Sequence, residues 1–370
     1  MAGVIGWWPS PPGGSPRLGA KLSPAALYSP MMAASTRPKR NCNRSHGIRA
    51  VAKAAGVSIS TVSRALRGYH DVNPQTRQRV QEVAAALGYS PNPIGQGLVL
   101  GRSGYVAVLF SRRHSPALLD RFYAEVLGGI EAVLEANGLS LVLVTLQSLD
   151  VQRRLTSRGR VDGVVALGCD IPLAFVRTLQ RSSLPLVLVD QPGWASVPSV
   201  TVDNEAGAYA ATRHLLGRGR RRVAFIAESL SDRNFALRKR GYERALREAG
   251  LPRDRGLVAE GAPESEGGYL AARRLLARCL PDGIVAANDA AALSAMRALR
   301  EAGLRIPEDI AVVGFDDLEL ARYVHPPLST VHVPRLQMGE LGAQLLLRRI
   351  AGESPPSVVL PVHLIERGTT

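Results

Sequence analysis

The chain has 370 residues, with 46 Lys/Arg against 31 Asp/Glu, a formal charge of +15 and 46% hydrophobic residues. This length suits two or three domains, and the apolar content excludes wholesale disorder. No apolar run reaches the roughly 18–20 residues that span a bilayer as a helix. Three widely separated cysteines (Cys42, Cys169, Cys279) fit neither a disulfide scaffold nor a zinc spacing.

The charge is uneven. Residues 1–104 hold thirteen Lys/Arg and two acids, Asp71 and Glu82, while the remainder holds 33 bases and 29 acids. A basic N-terminal third on a nearly neutral body points to a polyanion handled by one module. Residues 1–45 are rich in Pro, Gly and Ser and lack helical or strand periodicity, so they are read as a disordered extension. A secretory signal is not expected there, because the charged n-region and apolar core are missing. Met31 or Met32 offers a better start.

Order is expected over 46–92. Ile48, Val51, Ala52 and Ala55 share one helical face, and Gly56 ends that helix. Ser58 is the expected N-cap of a second helix that closes at Gly68, with Val62 and Leu66 facing inward. Asn73-Pro74 opens a third helix, carrying Val80, Val83, Ala84 and Leu87 on one face and stopping at Gly88. Three short helices with a tight turn between the first two form a helix-turn-helix module.

A proline-bounded connector, 93–103, follows. From 104 to 370, short apolar runs alternate with amphipathic helices. The runs are 105–110, 139–145, 163–168, 184–190, 222–228, 283–288 and 310–316, with helices expected at 121–137, 204–217, 235–250, 266–279 and 290–303. This pattern predicts an α/β core of two doubly wound lobes of parallel sheet. Ligands of such sheets bind at the carboxyl ends of strands.

The stretches IRAVAKAAGVSISTVSRALRG and VNPQTRQRVQEVAAALGYSPNPIGQGL resemble the LacI/GalR family of bacterial transcription regulators. So do VDGVVALG, VTVDNEAGAYAATRHLLGRGRRRVAFI, AANDAAALSAMRALREAGLRIPEDIAVVGFDD and PPLSTVHVP. The resemblance runs from Ile48 to Thr370. It implies a DNA-binding headpiece, a hinge helix at 93–103, and a two-lobed core like periplasmic sugar-binding proteins. It also implies a cytoplasmic, nucleoid-associated homodimer on a palindromic operator, controlled by a small-molecule effector, with repression as the family expectation. No cofactor, metal or membrane is expected.

The second helix of such a module presents its first residues to the major groove. Here those are Ile59 and Ser60, with Arg64 one turn on and able to bond guanine O6 and N7. Ile59 reads only shape or a thymine methyl. Thr61, Ser63 and Thr76 suit phosphate oxygens, and Arg67 and His70 flank the surface. Leu98 matches the leucine that the family's hinge helix inserts into the minor groove, an apolar wedge that kinks DNA. Pro93, Gly95 and Gly97 depart from that pattern and predict a hinge that orders less readily.

For the effector, the resemblance implies Asp289 and Arg238, with the aromatic pair Phe122-Tyr123 supplying one core ring and one ring for the cleft. Asp289 also suits a helix N-cap. Asp190, after a strand, is a further candidate, and Asp203 and Asp316 are read as structural. Pro263 replaces a family aromatic, and Arg112, Arg113 and His114 are read as solvated. The seven histidines, at 46, 70, 114, 214, 325, 332 and 363, are scattered and read as surface or packing residues. The alternatives are a solute-binding protein or non-DNA-binding sensor built on the same core, and a Rossmann-type enzyme. The enzyme reading lacks a dinucleotide or phosphate-loop glycine signature and the common hydrolase motifs. No apolar heptad tail is seen, so no tetramerisation helix is expected.

Overall fold

The structure is a computed structural model and describes residues 47–89, 102–111, 121–146, 155–157, 160–168, 171–191, 194, 197–261 and 266–370. The extension at 1–45, Leu98 with most of the hinge, Arg112, Arg113, His114, Pro263, Cys42 and Cys169 lie outside the described residues. The chain divides into two compact units, residues 1–90 and 91–370.

The first unit holds α1 (Ile48–Ala55), α2 (Ile59–Leu66) and α3 (Pro74–Ala86). Gly56 ends α1 at φ 64, a left-handed conformation that glycine adopts without a Cβ penalty. The Ser58 hydroxyl then accepts from the Thr61 N–H at 3.1 Å and starts α2. Asn73 caps α3 through Gln75 N–H at 2.9 Å, with Pro74 at the first helical position. Val51, Ala52, Ala55, Val62, Ala65, Val80 and Ala84 form the small core. Leu66, Val83 and Leu87 pack at its edge. Ala65, rather than Leu66, is thus the α2 residue fully buried beside Val62, because Leu66 closes the helix at the rim.

The second unit begins with β1 (Tyr105–Ser111), α4 (Arg121–Ala136), β2 (Ser140–Leu146), β3 (Gly163–Leu167), α5 (Leu173–Arg181), β4 (Leu186–Val189) and β5 (Ser199–Val202). It continues with α6 (Asn204–Gly217), β6 (Val223–Ala227), α7 (Arg233–Glu248), β7 (Val258–Glu260), α8 (Gly267–Arg278), β8 (Gly283–Ala286), α9 (Asp289–Glu301) and β9 (Ala311–Asp316). After α10 (Leu320–Tyr323) and β10 (Ser329–His332) come α11 (Arg335–Ile350), β11 (Val358–Leu360) and β12 (His363–Ile365).

Two six-stranded sheets result, in the orders β11-β5-β4-β3-β1-β2 and β12-β10-β9-β8-β6-β7. The chain passes between them three times: from β5 to β6, from β10 to α11, and from β11 to β12. Each sheet makes one lobe, and α11 returns to the first lobe to pack on α4. The central strands bury both faces. Val106 and Val108 pack in one apolar cluster and Ala107 and Leu109 in another, because successive residues point to opposite faces. Close helix crossings rest on glycine: a Cβ at Gly339 of α11 would strike the Val126 carbonyl of α4, and one at Gly241 of α7 would strike the Glu205 carbonyl of α6.

All seven apolar runs contain strands. One pairing departs from the expected parallel sheets, since β12 runs antiparallel to β10. Strands β5, β7, β10, β11 and β12 escape the reading from apolar runs. They have three or four residues each, and β5 and β10 mix Ser and Thr with Val.

Candidate functional site

The first unit presents half of its predicted DNA-facing residues outward. Ile59 is 45% exposed although large and apolar, and Ser60, Arg64 and His70 are also exposed. Thr61, Ser63, Arg67 and Thr76 are half-buried. The Ser58 hydroxyl lies 2.7 Å from Ser60 Oγ and 2.8 Å from Thr61 Oγ1, so three hydroxyls cluster at the start of α2. Arg64 forms an ion pair with Asp71 and stands over the Tyr69 ring, 5.8 Å from its centroid. Arg77 fixes the turn between α2 and α3 by donating to the Tyr69 carbonyl at 2.6 Å. Asp71 is the acid that reasoning along helix faces missed, because it lies in the turn.

In the second unit the lobes meet at strand ends. Asp190 follows β4 in the first lobe. Its carboxylate accepts from Tyr123 Oη at 3.0 Å and from Asn234 Nδ2 at 2.9 Å, and Asn234 belongs to α7 of the second lobe. Burial pushes the Asp190 carboxyl up to about 7, against the nearby Arg238 charge, which lowers it. Phe122, beside Tyr123, is buried in the core with its ring edge-on at 5.1 Å, while Tyr123 keeps its polar tip on Asp190.

Arg238, one turn along α7 from Asn234, is 3% exposed. Its Nε donates to Asn204 Oδ1 at 2.7 Å, and Nη1 donates to the Ala287 carbonyl and, at 3.3 Å, to Asp316 Oδ1. The guanidinium lies 3.7 Å from the Phe315 ring centroid, a cation–π contact. Asn204 closes the circuit by donating to Asn234 Oδ1 at 3.3 Å.

Asp289 is fully buried. One oxygen accepts from Thr330 Oγ1 at 2.5 Å, the other from the Leu318 N–H at 2.7 Å. It is not the N-cap of α9. Asn288 holds that place, accepting from Ala291 N–H at 2.8 Å, because its extended backbone turns the side chain onto the open N–H groups. Burial and then the Asp316 charge push the Asp289 carboxyl up to about 8. Asp203 caps α6 through Ala206 N–H at 2.9 Å.

Residues that sequence reasoning missed join the lobes. Arg335, at the start of α11, donates to both Glu125 oxygens on α4 at 3.1 and 3.0 Å. It also donates to the Asp316 carbonyl and, at 3.1 Å, to the Asp317 carbonyl. Asp317 takes Arg367 Nη2 at 2.5 Å and lies 2.9 Å from His332 Nδ1. Burial alone raises its pKa, but the Arg367 and His332 bonds and charges together hold it below the usual value. Among the described residues four non-glycines have positive φ, and three of them are Asp190 (60), Asp316 (111) and Asp317 (55). Such strained conformations gather where a structure holds polar groups for use.

Comparison with known proteins places the chain. Residues 47–92 match the family model of bacterial regulatory proteins of the lacI family, and residues 212–370 match the periplasmic binding protein-like domain. The chain is 36% identical over 328 residues to the HTH-type transcriptional regulator CelR of Thermobifida fusca, covering 86% of this chain and 96% of that protein. Its fold is similar to a solved CelR–cellobiose complex, with a TM-score of 0.67 and 35% identity over 87% of this chain and 99% of that one. It is also similar to a lac repressor dimer bound to operator and the anti-inducer ONPF, with a TM-score of 0.77 and 27% identity over 86% and 97%. The helix-turn-helix unit, the two-lobed core and these likenesses along most of the chain agree, and the protein belongs to the LacI family of bacterial transcriptional regulators.

Proposed function

We propose that this regulator binds a palindromic operator as a homodimer, as a repressor, and that a carbohydrate or related metabolite in the cleft of its core sets the DNA affinity. The observation that carries this reading is one chain joining two pieces. One is a helix-turn-helix unit whose second helix exposes Ile59, Ser60 and Arg64. The other is a core whose lobes meet through Tyr123, Asp190 and Asn234. The cellobiose complex of CelR and the operator complex of the lac repressor support it by likeness.

Ile59, Ser60 and Arg64 meet base edges in this reading, and Thr61, Ser63, Arg67, His70 and Thr76 meet the backbone. Leu98, outside the described residues, is the minor-groove contact. The working division is 1–45 extension, 46–92 DNA-binding domain, 93–103 hinge and 104–370 effector-binding and dimerisation core.

In the cleft, Asp190, Tyr123 and Arg238 contact the effector directly. Asp289 holds the wall from behind, and Phe122 supports Tyr123. Asn234 of the second lobe bonds Asp190 of the first, so a ligand must replace bonds as well as make them. A polyhydroxylated molecule suits that exchange, because each hydroxyl donates and accepts. It acts only through unequal affinity for the two lobe arrangements. We read the chain as a cytoplasmic regulator without catalytic activity or cofactor.

The test is to sequence genomic fragments retained by the purified full chain at moderate salt, then titrate cellobiose and other sugars against the recovered site. A short palindrome released or tightened by one sugar is the expected result. Uniform retention that fades as salt rises contradicts it, because that is electrostatic binding alone.

A further inference from the structure

Each lobe carries the same dipeptide at the same place. Asp162-Gly163 opens β3, which pairs with β1, and Asp282-Gly283 opens β8, which pairs with β6. In the second lobe, Asp282 Oδ2 accepts from the Arg221 N–H at 2.7 Å and Oδ1 from the Arg222 N–H at 2.9 Å, just before β6. In the first lobe, Asp162 Oδ1 accepts from the Ser103 N–H at 2.6 Å and from Ser103 Oγ at 3.0 Å. Its Oδ2 accepts from the Gly104 N–H at 2.8 Å, just before β1. The clasp is two-way in both lobes. The Asp162 N–H donates to the Tyr105 carbonyl at 2.8 Å, and the Asp282 N–H to the Arg222 carbonyl at 3.1 Å. Gly104 turns the chain at φ 75, a conformation other residues rarely adopt.

The geometry is shared, but the clasped chains differ in origin. Arg221 and Arg222 arrive from α6, inside the core. Residues 102–104 are the first described after the stretch that leads from the helix-turn-helix unit, with Ser103 closing the 93–103 connector and Gly104 opening the core. A carboxylate facing two adjacent N–H groups and a hydroxyl makes charge-assisted bonds, stronger than neutral ones. It therefore holds Ser103 and Gly104 in place at the start of β1.

We propose that Asp162 is a positioning residue for DNA reading: it anchors the point from which the helix-turn-helix unit is held. This rests on the reading of the chain as a dimeric regulator. Two such anchors in a dimer set the separation of the two reading helices. Both half-sites are then engaged together only when that separation matches the DNA. A loosened anchor leaves every base contact available but tolerates a wider range of half-site spacings.

The experiment compares full-length wild type, Asp162→Asn, Ser103→Ala and Asp282→Asn on the palindrome the wild type selects, with one or two base pairs added or removed at its centre. The wild type should lose about tenfold or more in affinity on each change of spacing. Asp162→Asn should bind the natural spacing a few-fold more weakly and show a flattened spacing profile. Ser103→Ala should shift the same way by less, and it carries the test if Asp162→Asn does not fold. Asp282→Asn, which loosens the matching clasp elsewhere, should keep the steep profile. An unaltered profile in the first two variants overturns the anchor, as does equal flattening in Asp282→Asn. A wild type that selects no palindrome overturns the functional reading itself, and the anchor with it.

Discussion

The helix-turn-helix unit and the cleft of the core handle their candidate contact residues in opposite ways. In the first unit, Ile59, Ser60 and Arg64 stand outward on a scaffold built within about forty residues, and their partners are close in sequence. In the cleft, Asp190, Arg238 and Asp289 are almost wholly buried, and their partners come from across the fold. The difference teaches what each surface has to do. DNA is a large, stiff partner that a displayed surface can meet as it stands. In the proposed function a small ligand enters between lobes already bonded to each other, so binding there means exchanging bonds. That exchange couples ligand to lobe position.

The largest effect that would break this comparison lies at Arg238. Arg238→Ala removes the buried guanidinium that donates to Asn204 and Asp316 and should destabilise the core by about 3–5 kcal/mol in urea unfolding. A loss below about 1 kcal/mol would mean the circuit does not hold the cleft. Asp289 and Asp190 give the next effect. Their folded carboxyls titrate near 8 and near 7, whereas an unfolded aspartate titrates near 4. The folded state therefore holds more protons between those values, and stability falls as pH rises from about 4 to about 8. Asp289→Asn should flatten the upper part of that decline in melting temperature against pH, and an unchanged slope would contradict its burial as a proton-holding group.

Smaller effects sharpen the DNA-facing side. Arg64→Ala should remove about 1–3 kcal/mol of discrimination at one base pair per half-site while leaving the melting of the core unchanged. An identical selected sequence would assign Arg64 to the ion pair with Asp71 alone. Ser58→Ala should cost about 1 kcal/mol of helix stability, read from faster amide exchange at Thr61.

Much of the fold was legible because its signals are local. Gly56, Ser58 and Asn73-Pro74 punctuate three helices within a short span, and the helix predicted at 204–217 forms over those same residues. Strands buried on both faces stand out as apolar runs. The short strands β5 and β10 do not, because Ser and Thr alternate with Val there and pairing comes from neighbours far along the chain. The contact between the lobes is half legible. Asp190, Arg238 and Tyr123 stand out in the sequence, but Asn234, 44 residues beyond Asp190, and Glu125, 210 residues before Arg335, have no local signature. Asp289 was placed in the cleft, while its choice between cap and buried acceptor depended on Thr330, 41 residues away, and on which of Asn288 and Asp289 turned inward.

The most direct measurement is competition binding of the full chain to its selected palindrome and to a scrambled duplex at two salt concentrations. A sequence-specific regulator should prefer the palindrome by about a thousandfold or more, with the preference surviving at the higher salt. A ratio near one, with both affinities collapsing together as salt rises, would contradict the claim that this chain reads DNA sequence.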